Sequence, residues 1–320
     1  MARLARLVSI SFPGVRGDMA PVDRARDAID DVSRRIDDAA LSDPDLIVLP
    51  ETFTGLGSGG DTFFASAESI PGPTTDALSR KAREHDTHIV FGILERRDGA
   101  LFNAAVLLGR DGSILGIYHK MHPTVGEIDA GVIPGTEAPV WSTDIGAIGC
   151  AVCFDLNFLD VADSLAQNGA DIVCFPSMYR GGLSARLWAF HYGFWFISAT
   201  PTENSVIIDP LGRLLVESFV YSPTIMASVN TDSVVCHIDF NHPKLGALRR
   251  KYGAHVDILT MAPEGVFMLT SRVPDVSVDD MVREFDLETR NEYWKRSNNA
   301  RMDALAGIHR APHSVIPLSD

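Results

Sequence analysis

The sequence predicts an α/β protein with its helices packed outside its sheets. Two observations carry that prediction. Short apolar runs rich in branched residues alternate with stretches of helical periodicity, as strands do when covering helices are interleaved with them. No internal repeat, low-complexity tract or Gly/Ser linker interrupts the pattern as far as about residue 270. At 320 residues, 46% hydrophobic and 22% charged, the chain can bury one large core or two small ones.

Taken in order, "MARLARLVSISFPG" sets two arginines before an apolar stretch, faintly like a secretory leader. Pro13-Gly14 cuts that stretch before any small-residue cleavage site, so "RLVSISF" reads as a first strand. Ala25, Ala28, Ile29, Val32, Ile36 and Ala40 then recur at three- and four-residue intervals, the stripe of an amphipathic helix. "DLIVLPE" reads as a buried strand ending at Pro50, "TTDALSRKAREHD" as a helix, and "HIVFGILERR" and "LFNAAVLLG" as strands. "ILGIYHK" and "GAIGCAVCF" follow, then a helix from about Leu159 and the strand "DIVCFPS". The aromatic-rich "LSARLWAFHYGFWFISAT" precedes strand pairs around "NSVIIDPLGRLLVES" and "VVCHIDF", and "HPKLGALRRKYG" is a last short helix. From Ser271 the chain turns polar and helix-prone, as in "VDDMVREFDLETRNEYWKRS". Residues 1–270 are therefore expected to form one domain. Residues 271–320 are expected to form an arm that packs on another surface or a partner subunit, a partly disordered tail being the other reading.

Lys and Arg number 28 against 42 Asp and Glu, a formal charge of −14. That balance argues against binding a nucleic-acid backbone and for work on small molecules. No apolar run approaches the roughly 18 residues a membrane helix needs. The four cysteines lie in apolar or strand-like surroundings, as reduced thiols of a cytoplasmic protein do.

Three residues fall where burial makes their chemistry costly. Glu51 follows "LIVLP", Lys120 ends "ILGIYHK" and Cys153 ends "GAIGCAVC", each at the carboxyl end of an expected apolar strand. Ligand crevices form at that edge of open α/β sheets. Singly, each reads as a loop acid, a surface lysine or a packed thiol; together they read as a site. A thiol attacks once a neighbouring base takes its proton, and a Glu kept from water can take that proton and return it. A lysine beside them can face a developing oxyanion.

Cys150 and Cys153 also spell C-x-x-C. A redox pair opens a helix, whereas this one closes a strand. A zinc site needs further ligands at matching spacing, and Cys174 and Cys236 stand alone. His119-x-x-His122 flanks Lys120 without a third ligand motif. No metal is expected.

The stretches "LIVLPETF", "YHKMHPTVGE" and "GCAVCFDLNF" resemble, in that order, the Glu-Lys-Cys motifs of the carbon–nitrogen hydrolase (nitrilase) superfamily. "DIVCFPS" and "IIDPLGRLL" fit it as well, and the likeness runs from about residue 5 to 260. The triad spacings are 69 and 33 residues (120 − 51 and 153 − 120). The resemblance implies a four-layer α-β-β-α sandwich that pairs through its outer helices, giving a homodimer or a higher even-numbered homo-oligomer. It implies that residues 1–270 are the hydrolase domain and that Glu51, Lys120 and Cys153 cleave a linear amide or N-carbamoyl group through a thioester, with no cofactor. Glu127 matches the second glutamate many members carry, at a spacing like that of nitrilases. Phe154-Asp155 after the cysteine sides with the amidase and carbamoyl-hydrolase branches, and the Phe154 N–H is an oxyanion donor.

Two features depart from the amide-cleaving pattern. "WAFHYG" puts His191 and Tyr192 where many members have Glu-Asn, and the usual Asn near "ISAT" is missing. Tyr179, Arg180 and His191 are candidate substrate contacts; a plain turn and a packing histidine are the other readings. A nitrilase, an acyltransferase using the same triad and a catalytically silent binding protein stay open as alternatives.

Overall fold

A computed structural model describes residues 3–308. They divide into two compact units, Leu4–Val229 and a second one made of Arg3 and the residues from Asn230 on.

In the larger unit the chain forms β1 (Leu4–Ile10), α1 (Pro21–Ala40), β2 (Leu46–Val48), α2 (Asp61–Phe64) and α3 (Pro73–Glu84). Next come β3 (His88–Arg97), β4 (Ala100–Leu108), β5 (Ile114–His119), α4 (Val125–Asp129), β6 (Val140–Thr143) and β7 (Gly146–Cys150). Then follow α5 (Leu159–Gln167), β8 (Ile172–Pro176), α6 (Gly182–Tyr192), β9 (Trp195–Ala199), β10 (Val206–Ile208), β11 (Leu214–Glu217) and β12 (Thr224–Asn230).

The first sheet has the order β12-β1-β2-β3-β4-β5 and the second β11-β10-β9-β8-β7-β6. Each has three adjacent parallel strands, β1-β2-β3 and β7-β8-β9. The sheets pack face to face through β1, β2 and β3 against β8, β9 and β10. Both faces of the central strands are covered, so they read as continuous apolar runs rather than as alternation. Helices α1 and α3 lie on the outer side of the first sheet, and α6, with α5 beside it, on the outer side of the second. This is the expected four-layer α-β-β-α sandwich.

Helix α1 shows how the sequence sets the layering. Ala28, Val32 and Ile36 of the expected stripe are buried against Val8, Ile10, Ile47 and Phe91 of the first sheet, and Ala39, in place of the expected Ala40, completes the buried face. Truncating Val32 or Ile36 to Ala is expected to cost about 2–5 kcal/mol. The aromatic run 183–200 divides at Gly193, whose φ of 83° is a conformation only glycine adopts freely. The residues before it form α6 and those after it β9.

The second unit contains β13 (Ser233–His237), α7 (His242–Tyr252), β14 (Val256–Met261), β15 (Val266–Ser271), α8 (Val278–Glu284) and α9 (Arg290–Leu305). Its sheet has the order β13-β15-β14, all antiparallel. Leu245 and Leu248 of α7 and Val278 and Met281 of α8 join Phe267 and Leu269 of β15 in its core. The boundary lies at 229/230, not at the expected 270/271, which cuts through β15. Strand β13 pairs with β15, a partner absent from the sequence reading, and this pairing draws residues 230–270 out of the hydrolase sandwich. The end of the expected arm, 309–320, lies outside the described residues. Among those described, no helix is long and apolar enough to cross a membrane.

Candidate active site

The first sheet delivers Glu51 and Lys120 to one edge. Beyond β2 the chain passes Pro50 into Glu51 and then Thr52, whose φ is 44°. Strand β3 runs so close that a Cβ on Gly92 would sit 2.5 Å from the Glu51 Cα and 2.8 Å from the Thr52 nitrogen. Only glycine fits there, and it fixes where the Glu51 backbone sits. The side chain is 2% exposed. Its Oε1 accepts from Asn103 Nδ2 at 2.8 Å and Lys120 Nζ at 3.0 Å, and its Oε2 accepts from the Met178 backbone N–H at 2.9 Å.

Lys120 leaves β5 with its backbone N–H donating to the Asn103 carbonyl at 2.8 Å. Its ammonium, 1% exposed, also donates to Glu127 Oε1 at 3.0 Å and Oε2 at 2.8 Å. Glu127 is held in turn by its own turn of chain. Its Oε2 accepts from the Thr124 N–H at 2.7 Å while its N–H reaches Thr124 Oγ1 at 3.3 Å, a capping box on α4. Asn103, on β4, closes the network by donating from Nδ2 to Glu127 Oε1 at 2.6 Å. Both of its carboxylate neighbours are acceptors, which decides which end of the amide faces them.

The second sheet delivers Cys153. It follows β7 and opens a 3-10 turn, Cys153–Asn157, with a φ of 49°. A non-glycine residue held in that region costs about 1–3 kcal/mol, sustained only where neighbours over-determine it. Here the neighbour is Asp155, fully buried. Its Oδ2 accepts from Tyr118 Oη at 2.7 Å and the Val152 N–H at 2.8 Å, and its Oδ1 from the His122 N–H at 2.8 Å. One carboxylate thus ties the turn after β7 to the chain around Lys120.

The electrostatics separate the two cysteines of the C-x-x-C run. Cys150 is fully buried on β7, and burial alone pushes its thiol up to about 12. Burial and the Glu51 carboxylate push Cys153 up to about 12 too, but Lys120 and the Met178 N–H pull the other way. Only the second thiol is coupled to an acid, a cation and a backbone donor. Burial works against the Lys120 charge, yet Glu51, Cys153 and Glu127 hold its proton more tightly than in water. Burial likewise opposes the Glu127 charge, and Lys120 overrides it, leaving that carboxyl below its ordinary range.

The structure therefore brings Glu51, Lys120, Glu127 and Cys153 together, with Phe154 next to the thiol in the same turn. Tyr179 is partly exposed beside Met178, and Ser177 Oγ donates to its carbonyl at 2.6 Å. Arg180 is exposed and pairs with Glu203 at 3.2 Å. His191 is exposed on α6, in the outer layer, next to the Tyr192 ring. The sequence reading missed Asn103, Tyr118, the Met178 N–H and the pinning role of Asp155. Among the described residues, the one cluster that could offer three metal ligands is Asp37, Glu84 and His85, none of which belongs to the Glu51–Lys120–Cys153 group. Lys81 Nζ already donates to Asp37 Oδ1 there at 2.6 Å.

The carbon–nitrogen hydrolase family model matches residues 20–234. The chain belongs to that family. Omega-amidase NIT2 of Mus musculus is 24% identical over 264 residues, 74% of this chain and 90% of that protein. The bifunctional nitrilase/nitrile hydratase NIT4B of Nicotiana tabacum is 29% identical over 168 residues, 47% of this chain and 48% of that protein. Among solved structures, an amidase from Nesterenkonia sp. matches with a TM-score of 0.61 at 20% identity, over 78% of this chain and 96% of that one. That likeness shows a shared fold, and membership in the family makes this chain a carbon–nitrogen hydrolase.

Proposed function

We propose that the chain hydrolyses a linear amide or N-carbamoyl group with Glu51, Lys120 and Cys153 as its catalytic residues. The observation that carries this reading is the buried Glu51–Lys120–Glu127 network with one thiol, Cys153, coupled to it. With its proton held so tightly, the thiol does not wait as a thiolate; Glu51 removes the proton as sulfur attacks the carbonyl carbon. The carbonyl oxygen becomes negative and is held by Lys120 and the Phe154 N–H. Glu51 passes its proton to the nitrogen, the C–N bond breaks and ammonia or an amine departs, leaving a thioester. Water then gives a proton to Glu51 while its oxygen attacks the thioester. The C–S bond breaks, the acid leaves and Cys153 recovers its proton. Glu127 keeps Lys120 in place throughout.

A nitrile reading has one specific support: Glu127 is a second carboxylate at Lys120, placed to orient that ammonium toward a nitrogen that stays attached until the thioimidate is hydrolysed. The test is a panel of amides, carbamoyl compounds and matched nitriles, assayed for ammonia with the Cys153 adduct trapped for mass spectrometry. Faster turnover of a nitrile than of its amide, with the acid released directly, would put nitrile hydrolysis in place of our reading. Dialysis against a strong chelator is expected to leave the rate unchanged.

Self-association through the outer helices is part of the same proposal. Leu159 on α5 and Leu183 and Leu187 on α6 are 64%, 71% and 55% exposed, an apolar surface that pairing would cover. Replacing Leu183 and Leu187 by Glu together is expected to shift a sizing profile to monomer, and an unshifted profile would count against this interface.

A further inference from the structure

We propose that the acyl part of the substrate is small, apolar and uncharged, and that Phe63, Phe64 and Met178 select it. The inference rests on the amide-hydrolase reading and narrows it. A cavity of about 360 Å³ opens between Met178, Leu56, Phe63, Phe64 and the turn 57–60. Its position ties it to the candidate site twice. Met178 donates its N–H to Glu51 and acts on the Cys153 thiol, and the same residue lines this cavity. The opposite wall belongs to the stretch of chain that follows Glu51. The volume is near the lower end of the range for small-molecule sites, roughly 300–1,000 Å³, which suits a short aliphatic chain or a single ring.

The walls decide the chemistry. Phe63 and Phe64 meet edge to face, 5.2 Å between centroids at 87°, and pack on Leu94, Leu101 and Val132 behind them. Two rings braced in this way form a fixed apolar surface. The turn is equally constrained at its start, since a Cβ on Gly57 would lie 2.3 Å from the Val15 carbonyl oxygen. Among the described residues that line the cavity, none carries a charge. Arg180, two residues past Met178, is paired with Glu203. An acyl chain ending in a carboxylate would lose water there and gain no partner, a cost that an uncharged chain avoids. The neighbouring cluster adds to this, because two carboxylates face one ammonium and a further anion meets net repulsion. A terminal ammonium escapes the repulsion but loses its hydration without a carboxylate in the cavity to replace it.

Three primary amides of equal length separate the possibilities: valeramide, glutaramic acid and 4-aminobutanamide. The expected result is a kcat/KM for valeramide about 10²-fold above either charged analogue. Phe64→Lys is expected to reduce the valeramide-to-glutaramic-acid ratio at least tenfold, whereas Phe64→Leu should keep the preference for valeramide. Glutaramic acid turned over as well as valeramide, or better, would overturn the apolar pocket and leave amide hydrolysis standing. The converse is also readable through protection of Cys153 from alkylation by iodoacetamide. If no amide is hydrolysed, yet valeramide protects the thiol and glutaramic acid does not, the pocket assignment survives and the amide reading falls. Equal protection by both would overturn the pocket.

Discussion

The first sheet ends, at Glu51 and Lys120, in a network where both carboxylates and the ammonium are bonded at every charged atom. The second sheet ends, at Cys153, in a left-handed residue whose thiol has none of that saturation and whose shape is kept by a neighbour, Asp155. The difference separates two tasks. The acid and the cation must hold a fixed place against the cost of burying charge, so their partners are supplied in advance. In the proposed reaction Cys153 presents its sulfur to a carbon that arrives later, a task that a constrained backbone serves. Both turns carry a left-handed residue, Thr52 after Glu51 and Cys153 itself; polar saturation is what sets the Glu51–Lys120 side apart.

The comparison breaks most visibly at the thiols. Cys153→Ala is expected to lower kcat by about 10⁴-fold or more with an unchanged melting temperature, whereas Cys150→Ala should cost packing, about 1 kcal/mol, and little activity. Equal losses from the two would remove the distinction between attacking and packing cysteine. Lys120→Met tests the saturated side. It leaves Glu51 and Glu127 buried together without a cation, so a loss of about 3–5 kcal/mol in urea unfolding should accompany inactivation. Stability equal to wild type would show that the network is not what holds the carboxylates.

Gly92→Ala probes the same side through the backbone. Its new methyl group must displace the Glu51 Cα, for which we expect about 1–3 kcal/mol of destabilisation and about a 10²-fold loss in kcat. An active, fully stable G92A protein would mean that β3 does not set the position of Glu51. The smallest effect concerns pH. Glu127 is held below its ordinary range in the folded protein, so it contributes stability that is present above the ordinary carboxylate value and lost as pH falls through the lowered one. Glu127→Gln should therefore destabilise the protein at neutral pH, and the deficit relative to wild type should shrink in acid, where the wild type gives up the same ion pair. A deficit independent of pH would assign it to packing.

Much of this site was legible because burial makes its residues expensive. A Glu, a Lys and a Cys closing apolar strands are costly at random, so their coincidence carried weight. Asn103 is legible on the same ground, a lone amide inside the apolar "LFNAAVLLG". The Met178 N–H has no sequence signature, since every residue but proline offers one. Asp155 was noticed for its place after the cysteine, while its function depends on Tyr118 and His122, which only folding brings near. The α/β class was legible for a similar reason, since the central strands are buried on both faces and read as unbroken apolar runs, whereas the four-layer arrangement followed from the family resemblance. The smaller unit hid because β14 is half-buried along most of its length, which blurs both the alternating and the continuous pattern. The run "VFMLTS" pairs with β13 on one side and β14 on the other, so the expected boundary at 270/271 falls inside this sheet.

The bonds of Asp155 to Tyr118 and His122 cross from one sheet's chain to the other's, and this bears on how the protein fails. A site assembled on one mobile loop can melt before its scaffold, so that heat silences it while the bulk of the structure persists. Here the attacking turn and the lysine-bearing turn share a single carboxylate, and neither can open without the other. Inactivation by heat is then a cooperative event, coinciding with collapse of the sandwich instead of preceding it.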